Sequence, residues 1–413
     1  MPSSAAPVTE SERIGSIDVL RGFAVLGILV MNIQSFAMPF SAYFNPTAYG
    51  DLSGANYWVW FFSHLLADQK FMTLFSLLFG AGVVLMSSRI EAQGHRPGPI
   101  YYRRTFWLLV FGLLHAYLIW YGDILVLYAV CGSVVFLMRR QPARRLLMIG
   151  MLVIAVGSGI SLFFGWSMRF WPPEEIEEFT GDMWLPPAEE LAAEVAAYRG
   201  GWLDQMSPRV KWALDFHSFV IWIWGIWRAG GLMLVGMALY KWGVFEARRS
   251  SAFYWKLAIL GLATGIPTIL YGIYRNQASN WDVRYSFFFG GQYNYWGSLP
   301  VSLAYVGLVM LACKSLALER VRRPLAAAGR MAFTCYLGES LICTTIFYGH
   351  GLGFFGSVDR VGQILITFAV YIFLLIFSTL WLRRFQYGPF EWVWRSLTYG
   401  KRELLRRREP LPV

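Results

Sequence analysis

A histidine and an aspartate eight residues apart inside an apolar double segment are the first candidates for chemistry. In Phe111-Gly-Leu-Leu-His-Ala-Tyr-Leu-Ile-Trp-Tyr-Gly-Asp-Ile-Leu-Val-Leu-Tyr128, His115 sits near the end of one apolar run, and Asp123 follows a Tyr121-Gly122 turn that opens the next. Polar groups in hydrocarbon are expensive, so the two either hydrogen-bond and staple the hairpin or handle protons, and the residue types leave both readings open. In the second reading His115, oriented by Asp123, is a general base, because an imidazole with its ordinary pKa of about 6.5 accepts a proton near neutral pH.

Other ionisable side chains stand where a membrane segment does not call for them. Arg228, in Trp222-Ile-Trp-Gly-Ile-Trp-Arg-Ala-Gly-Gly231, falls near mid-span, where an arginine costs at least ~2.5 kcal/mol on insertion scales. Glu339, about two turns into a later span, is the intramembrane carboxylate expected to pair with it, as a structural ion pair or as part of an anion site. Asp18 and Arg21 are one turn apart on the first helix and can satisfy each other. Lys70, with Asp68, flanks the outer end of the second span and is placed to snorkel. His217 with Asp215 is the runner-up to His115, while His64 reads as interfacial and His95 as a loop residue.

The elements that position these residues follow from composition. Of 413 residues, 56% are hydrophobic and only 15% charged, far from the roughly one quarter charged of soluble domains. The chain reads as all-α, a polytopic transmembrane bundle. The net charge of +11 does not indicate nucleic acid, because the basic residues fall in short runs between apolar segments. Four cysteines without CxxC spacing indicate neither a disulfide framework nor a zinc site, and no metal site is expected.

Ten spans are expected, at Ser16–Pro39, Lys70–Ser88, Tyr102–Ile119, Ile124–Met138, Leu146–Phe164, Phe216–Tyr240, Phe253–Tyr274, Gly297–Leu316, Met331–Tyr348 and Gly362–Leu382, with an interfacial helix at Tyr57–Leu66. The stretch 56–90 is too long for one crossing of a ~30 Å hydrocarbon core at about 1.5 Å per residue. Connections alternate in charge: those assigned inside carry 26 Lys and Arg and those assigned outside 7, which places both termini in the cytoplasm. The resulting units are a cytoplasmic tail at 1–14, a five-helix membrane unit at 15–164, an extracytoplasmic loop at 165–211 with nine acidic residues, a second five-helix unit at 212–383, and an amphipathic basic tail at 384–413 suited to anionic lipid. Within the loop, Ala188–Arg199 has helix-forming composition.

Several chemistries are disfavoured. Gly351-Leu-Gly-Phe-Phe-Gly356 matches GxGxxG by letter but has no strand–turn–helix setting, and there is neither a Walker motif nor a serine nucleophile elbow. Gly80-Ala81-Gly82 and Ala229-Gly230-Gly231 read as helix-packing notches.

The opening Arg13-Ile-Gly-Ser-Ile-Asp-Val-Leu-Arg-Gly-Phe-Ala-Val-Leu-Gly-Ile-Leu-Val-Met-Asn32, Lys70-Phe-Met-Thr-Leu-Phe-Ser-Leu-Leu-Phe-Gly80, and Gly112-Leu-Leu-His115 with Gly122-Asp-Ile-Leu125 resemble the bacterial YeiB-type family, domain of unknown function family 418. Gly329-Arg-Met-Ala-Phe-Thr-Cys-Tyr-Leu and the run Arg384 to Tyr399 are similar to its C-terminal signature. The resemblance implies a multi-pass protein of the bacterial inner membrane. The Ser-Ile-Asp-x-x-Arg-Gly pattern also resembles, distantly, heparan-α-glucosaminide N-acetyltransferase and the membrane acyltransferases of its superfamily. These take an acyl group from cytoplasmic acyl-CoA and deliver it, with a histidine's help, to a sugar on the far side, and His64 and His115 both compete for that histidine's place.

The leading expectation is therefore a membrane acyltransferase with no permanently bound cofactor, acyl-CoA as donor and a glycan or lipid as acceptor. His115 and Asp123 are its catalytic residues, and Arg21, Arg103, Arg104, Arg330 and Arg395 hold the donor's phosphates, to which guanidinium binds bidentately. The alternative is a multi-pass transporter or exporter of an anionic or small organic substrate, in which Arg228, Glu339, His115 and Asp123 line the path. A non-catalytic scaffold using the acidic loop is a third reading.

Overall fold

The computed structural model describes residues 14–407. The expected N-terminal tail up to Arg13 and the last basic residue, Arg408, lie outside the described residues. Among the described residues the secondary structure is helical apart from one isolated bridge, Phe385 to Arg406.

Every expected span is built on a helix. They are α1 (Gly15–Ala37), α2 (Gly54–Leu66), α3 (Lys70–Ala92), α4 (Pro97–Leu118), α5 (Leu125–Val135), α6 (Ala143–Ser167), α7 (Ala188–Arg199), α8 (Met206–Lys241), α9 (Ser251–Ala278), α10 (Gly291–Lys314), α11 (Glu319–Arg330), α12 (Ala332–Phe347), α13 (Arg360–Arg384) and α14 (Pro389–Tyr399). Seven helical runs among the described residues are long and apolar enough to cross a membrane: α1, α2 with α3, α6, α8, α9, the run Val283–Lys314 that ends as α10, and α13. α5 and α12 are shorter apolar helices, the former extended by one tight turn to Met138. The fold is a polytopic helical bundle.

The long stretch between Gly54 and Ala92 breaks where a single crossing would overrun. Gln69 takes the left-handed conformation at φ 62°, which ends α2 and redirects the chain into α3; a non-glycine residue held there is strained. α8 departs from the plain span expected at Phe216–Tyr240. It begins ten residues earlier, at Met206, and from Phe216 to Gly230 it is wound with the wider i→i+5 repeat. Such stretches are rare and tend to accompany functional sites.

Two reciprocal glycine contacts set the closest crossings. A Cβ on Gly80 would lie 1.9 Å from the Met233 carbonyl oxygen and one on Gly236 2.0 Å from that of Leu77, so α3 and α8 touch backbone to backbone. Gly22 and Gly329 do the same for α1 and α11. Without a hydrophobic drive between helices in lipid, this close packing holds spans together.

The segment 165–211 is less a loop than a helical cover. Trp184 donates its indole N–H to the Trp281 carbonyl at 2.7 Å. Glu194 Oε1 accepts the Phe40 amide at 3.1 Å and the Trp212 indole at 3.3 Å. Arg199 Nε donates to the Phe355 carbonyl at 2.7 Å. Burial pushes the Glu194 carboxyl up to about 7, its hydrogen bonds opposing the shift. At the opposite, basic end, Glu391 of α14 accepts the Phe333 amide at 2.7 Å and the Thr334 amide at 3.0 Å and also bonds the Thr334 hydroxyl, closing the start of α12.

Candidate functional site

Beneath the helical cover lies a cavity of about 350 Å³, within the size range of small-molecule sites. Its wall is built from α1 (Ile28, Met31, Asn32, Ser35), the α2–α3 break (His64, Asp68, Gln69) and the α4–α5 turn (Trp120 to Ile124), and from residues of α8, α9 and α10. Indoles of Trp60, Trp120, Trp184, Trp224 and Trp281 face it. Among the described residues its wall contains no lysine or arginine.

The histidine in this wall is His64, at the last turn of α2. Its Nδ1 lies 3.1 Å from Asp68 Oδ2, one turn further on. A carboxylate only accepts, so Nδ1 carries the proton and the Nε2 lone pair is left for another partner. The imidazole is stacked on Trp60, ring centroids 5.6 Å apart at 19°. Asp68 is held in turn: Asn294 Nδ2 donates to Oδ2 at 2.7 Å, and the Tyr43 phenol, its pKa raised by burial and then by the Asp68 charge, also bonds it. Lys70 is fully buried, and its ammonium donates to Asn294 Oδ1 and to the His64 carbonyl, both at 2.6 Å. The lysine expected to snorkel instead fixes the asparagine that fixes the aspartate.

His115 and Asp123 do meet directly, Nδ1 to Oδ1 at 2.8 Å. The second ring nitrogen of His115 is also occupied, by the Ser340 hydroxyl at 2.9 Å, and Asp123 Oδ2 accepts the Val126 amide at 2.8 Å. Serine, histidine and aspartate in this order are the arrangement of nucleophilic hydrolases. Here His115 and Ser340 are 1% exposed and neither lines the cavity; of this triad Asp123 alone reaches it, beside Tyr336. Both imidazole nitrogens are spent on tying α4, the start of α5 and α12 together.

The expected pairing of Arg228 with Glu339 is corrected: no ion pair joins them among the described residues. Arg228, fully buried, donates from Nη2 to Thr73 Oγ1 at 3.0 Å and Ser298 Oγ at 2.6 Å and lies 4.5 Å from the Tyr295 ring centre. The wide turns of α8 aim it at α3 and α10, whereas α12, carrying Glu339, packs on α1, α11, α13 and α14. Glu339 is 2% exposed and its Oε1 has no hydrogen-bond partner.

The five arginines expected to bind phosphate are at the basic end, outside the cavity wall. Arg21 Nη1 donates to Asp18 Oδ1 at 3.1 Å and to the Gly329 carbonyl at 3.4 Å. Arg104 stacks 3.9 Å over Trp394, whose indole donates to the Arg104 carbonyl, and it lies in the fields of Arg395 and Arg21. Arg395 stacks on Tyr387 at 4.4 Å and leaves Nε and Nη2 without a partner. Arg103 approaches Gly400, and Arg330 closes α11. The structure thus brings Arg21, Arg104 and Arg395 into one cluster.

A family model described as protein of unknown function, DUF418, matches residues 239–401. The chain is 32% identical to the Escherichia coli protein named uncharacterized protein YeiB over 94% of this chain and 96% of that one. It is 31% identical to uncharacterized protein YxaH of Bacillus subtilis over 96% and 97%. The chain belongs to the DUF418 family. It is also 26% identical, over 96% of both chains, to an uncharacterized 39.9 kDa protein in the amylase 3′ region of Bacillus acidopullulyticus.

In this DUF418 protein, Ser340 and Asn294 are two of the site residues that sequence reasoning missed. Ser340 lies more than two hundred residues from His115 and Asn294 as far from the His64–Asp68 pair, and a serine or asparagine in an apolar helix gives no local signal of its partner. His64 and Asp68 at an i,i+4 spacing did carry a signal, because that spacing puts both on one helix face.

Proposed function

We propose that the protein is a membrane acyltransferase of the bacterial inner membrane, crossing it several times, that moves an acyl group from acyl-CoA at the basic, cytoplasmic end to a hydroxyl or amine of a glycan or lipid in the cavity. One observation carries this reading: the imidazole of a His64–Asp68 pair, its Nδ1 held by the carboxylate, lines a roomy, indole-lined cavity. His64, not His115, is the general base. It takes the acceptor's proton as the acceptor oxygen or nitrogen attacks the thioester carbonyl. The carbon–sulfur bond then breaks, and the proton passes to the departing thiolate. Asp68 fixes the tautomer and favours the imidazolium that forms meanwhile.

The donor's phosphates lie against Arg21, Arg104 and Arg395, with Arg103 and Arg330 beside them. Arg21, Ile28 and Ser35 recur at seven residues and so share one face of α1; Ile28 and Ser35 line the cavity. Arg21 and Ile28 are about 10 Å apart along the axis at about 1.5 Å per residue, a span that an extended thioester arm covers.

A second reading, transport, is favoured by the position of the cavity under one end of the bundle. Its wall carries Asp68 and Asp123 and, among the described residues, no lysine or arginine, so such a cargo would be neutral or cationic and not the anion first expected. Inverted membrane vesicles supplied with radiolabelled acetyl-CoA separate the two. Transfer leaves label covalently bound in the glycan or lipid fraction when the protein is present; a transporter leaves that fraction unlabelled.

A further inference from the structure

We infer that Gln69 and Asn276 are the specificity-determining pair of this cavity, two uncommitted amides that recognise the hydroxyl groups of a sugar ring. The inference rests on reading the cavity as the acceptor site and names the acceptor's chemistry. Both residues line the cavity, and both have a buried side-chain oxygen, Gln69 Oε1 and Asn276 Oδ1, with no hydrogen-bond partner. Asn276 is more than nine-tenths buried, at 8% exposure. A buried amide oxygen without a donor forfeits the hydrogen bond it made in water, and such groups are rare enough in native proteins to call for a reason.

The surroundings supply one. Two neighbouring amides of the site are engaged: Asn294 bridges Asp68 and Lys70, and Gln292 bonds Ser158 and Ser161. Gln69 and Asn276 are held by backbone geometry instead. Gln69 is at φ 62°, and Trp281, whose amide donates to the Asn276 carbonyl at 2.9 Å, is at φ 57°. Left-handed non-glycine residues cost free energy and cluster at ligand sites. Asn276 Oδ1 rests on Gly290, where a Cβ would lie 1.9 Å away, so the glycine is what gives the amide its room.

The pair selects by chemical type. An amide turned about its last bond offers either its oxygen or its NH₂ to the cavity, and the groups that answer both are hydroxyls. An anion would satisfy only the NH₂ and an ammonium only the oxygen. Trp281 and Trp60 pack edge to face at 5.5 Å, and Trp60 carries His64. The amides, an apolar indole surface and the catalytic nitrogen are therefore contiguous, as a ring with hydroxyl edges and apolar faces requires.

The test uses the full-length protein in detergent micelles, with methyl β-glucoside and methyl β-glucosaminide as probes and saturation-transfer NMR as the binding measurement. The variants are Gln69→Met and Asn276→Leu, which keep shape and remove the amide. Each is expected to weaken sugar binding about tenfold, as loss of a 1.4 kcal/mol interaction would, while the melting temperature holds or rises, because no internal hydrogen bond is lost. Wild-type affinity in both variants, a fall in melting temperature with binding kept, or no binding of either sugar by the wild type overturns the inference. His64→Gln separates it from the proposed reaction. Sugar binding kept with transfer lost supports both, and sugar binding with transfer also kept contradicts the role of His64 while leaving the amide pair in place.

Discussion

His64 and His115 have opposite surroundings, and at the scale of single residues that contrast decides their roles. A base acting on an acceptor in the cavity must line that cavity with one nitrogen held by a carboxylate; His64 lines it, and His115, with its partner Ser340, does not. His64→Gln is expected to lower transfer by 10²–10⁴-fold with little change in melting temperature, read by side-by-side activity and thermal unfolding assays. His115→Ala removes the side-chain hydrogen-bond partner of the buried Asp123, so it is expected to destabilise the protein by about 3 kcal/mol or more and to reduce membrane abundance; unchanged abundance and stability would contradict the staple. The His115–Asp123 contact was legible in the sequence because two polar residues in an apolar hairpin must answer to each other. Whether the cavity reaches them was not legible, since that depends on α8, α9 and α10, which are distant in sequence. Arg228 was misassigned for the same reason: a buried arginine announces a need for acceptors, but the hydroxyls of Thr73 and Ser298 announce nothing.

At the scale of elements, the cover over the cavity is fastened by a titrating group. Glu194 on α7 has its carboxyl pushed up to about 7 by burial, against about 4.3 for an exposed glutamate. The docked segment therefore holds the proton more tightly than the undocked one. Its docking is strongest below about pH 4.3, weakens as pH rises towards 7 and is constant above that. Hydrogen exchange of the Ala188–Arg199 amides is expected to be slower at pH 5 than at pH 8 after correction for intrinsic rates, and Glu194→Gln, which keeps an acceptor for Phe40 and Trp212, is expected to remove the difference. Equal protection in the wild type would show that Glu194 does not fasten the cover. That Ala188–Arg199 is a helix was readable from its alanine and glutamate content. Its docking was not, because Phe40, Trp212 and Phe355 come from three other parts of the chain. At the basic end, Glu391→Ala leaves two amides and a hydroxyl at the start of α12 without their acceptor, and a loss of about 1–3 kcal/mol is expected, measured by chemical denaturation in micelles.

At the scale of the whole molecule, the alternation of basic connections and the helical order agree. The spans were legible because crossing hydrocarbon forces long apolar helices, and the hidden part was winding: nothing in the letters of Phe216–Gly230 marks its wider turns. With the basic end cytoplasmic, Leu203, 77% exposed in the cover, faces outward. Leu203→Cys is expected to react with a membrane-impermeant maleimide in intact cells; reaction only after the cells are opened would reverse the orientation and with it the side of the acceptor. The central claim is that His64 transfers an acyl group to an acceptor in the outward cavity. Its most direct test is mass spectrometry of glycans and lipids from a strain lacking the gene, complemented with the wild type or with His64→Gln at matched abundance. The account predicts species heavier by one acyl group with the wild type and their absence with His64→Gln; their return with His64→Gln would contradict it.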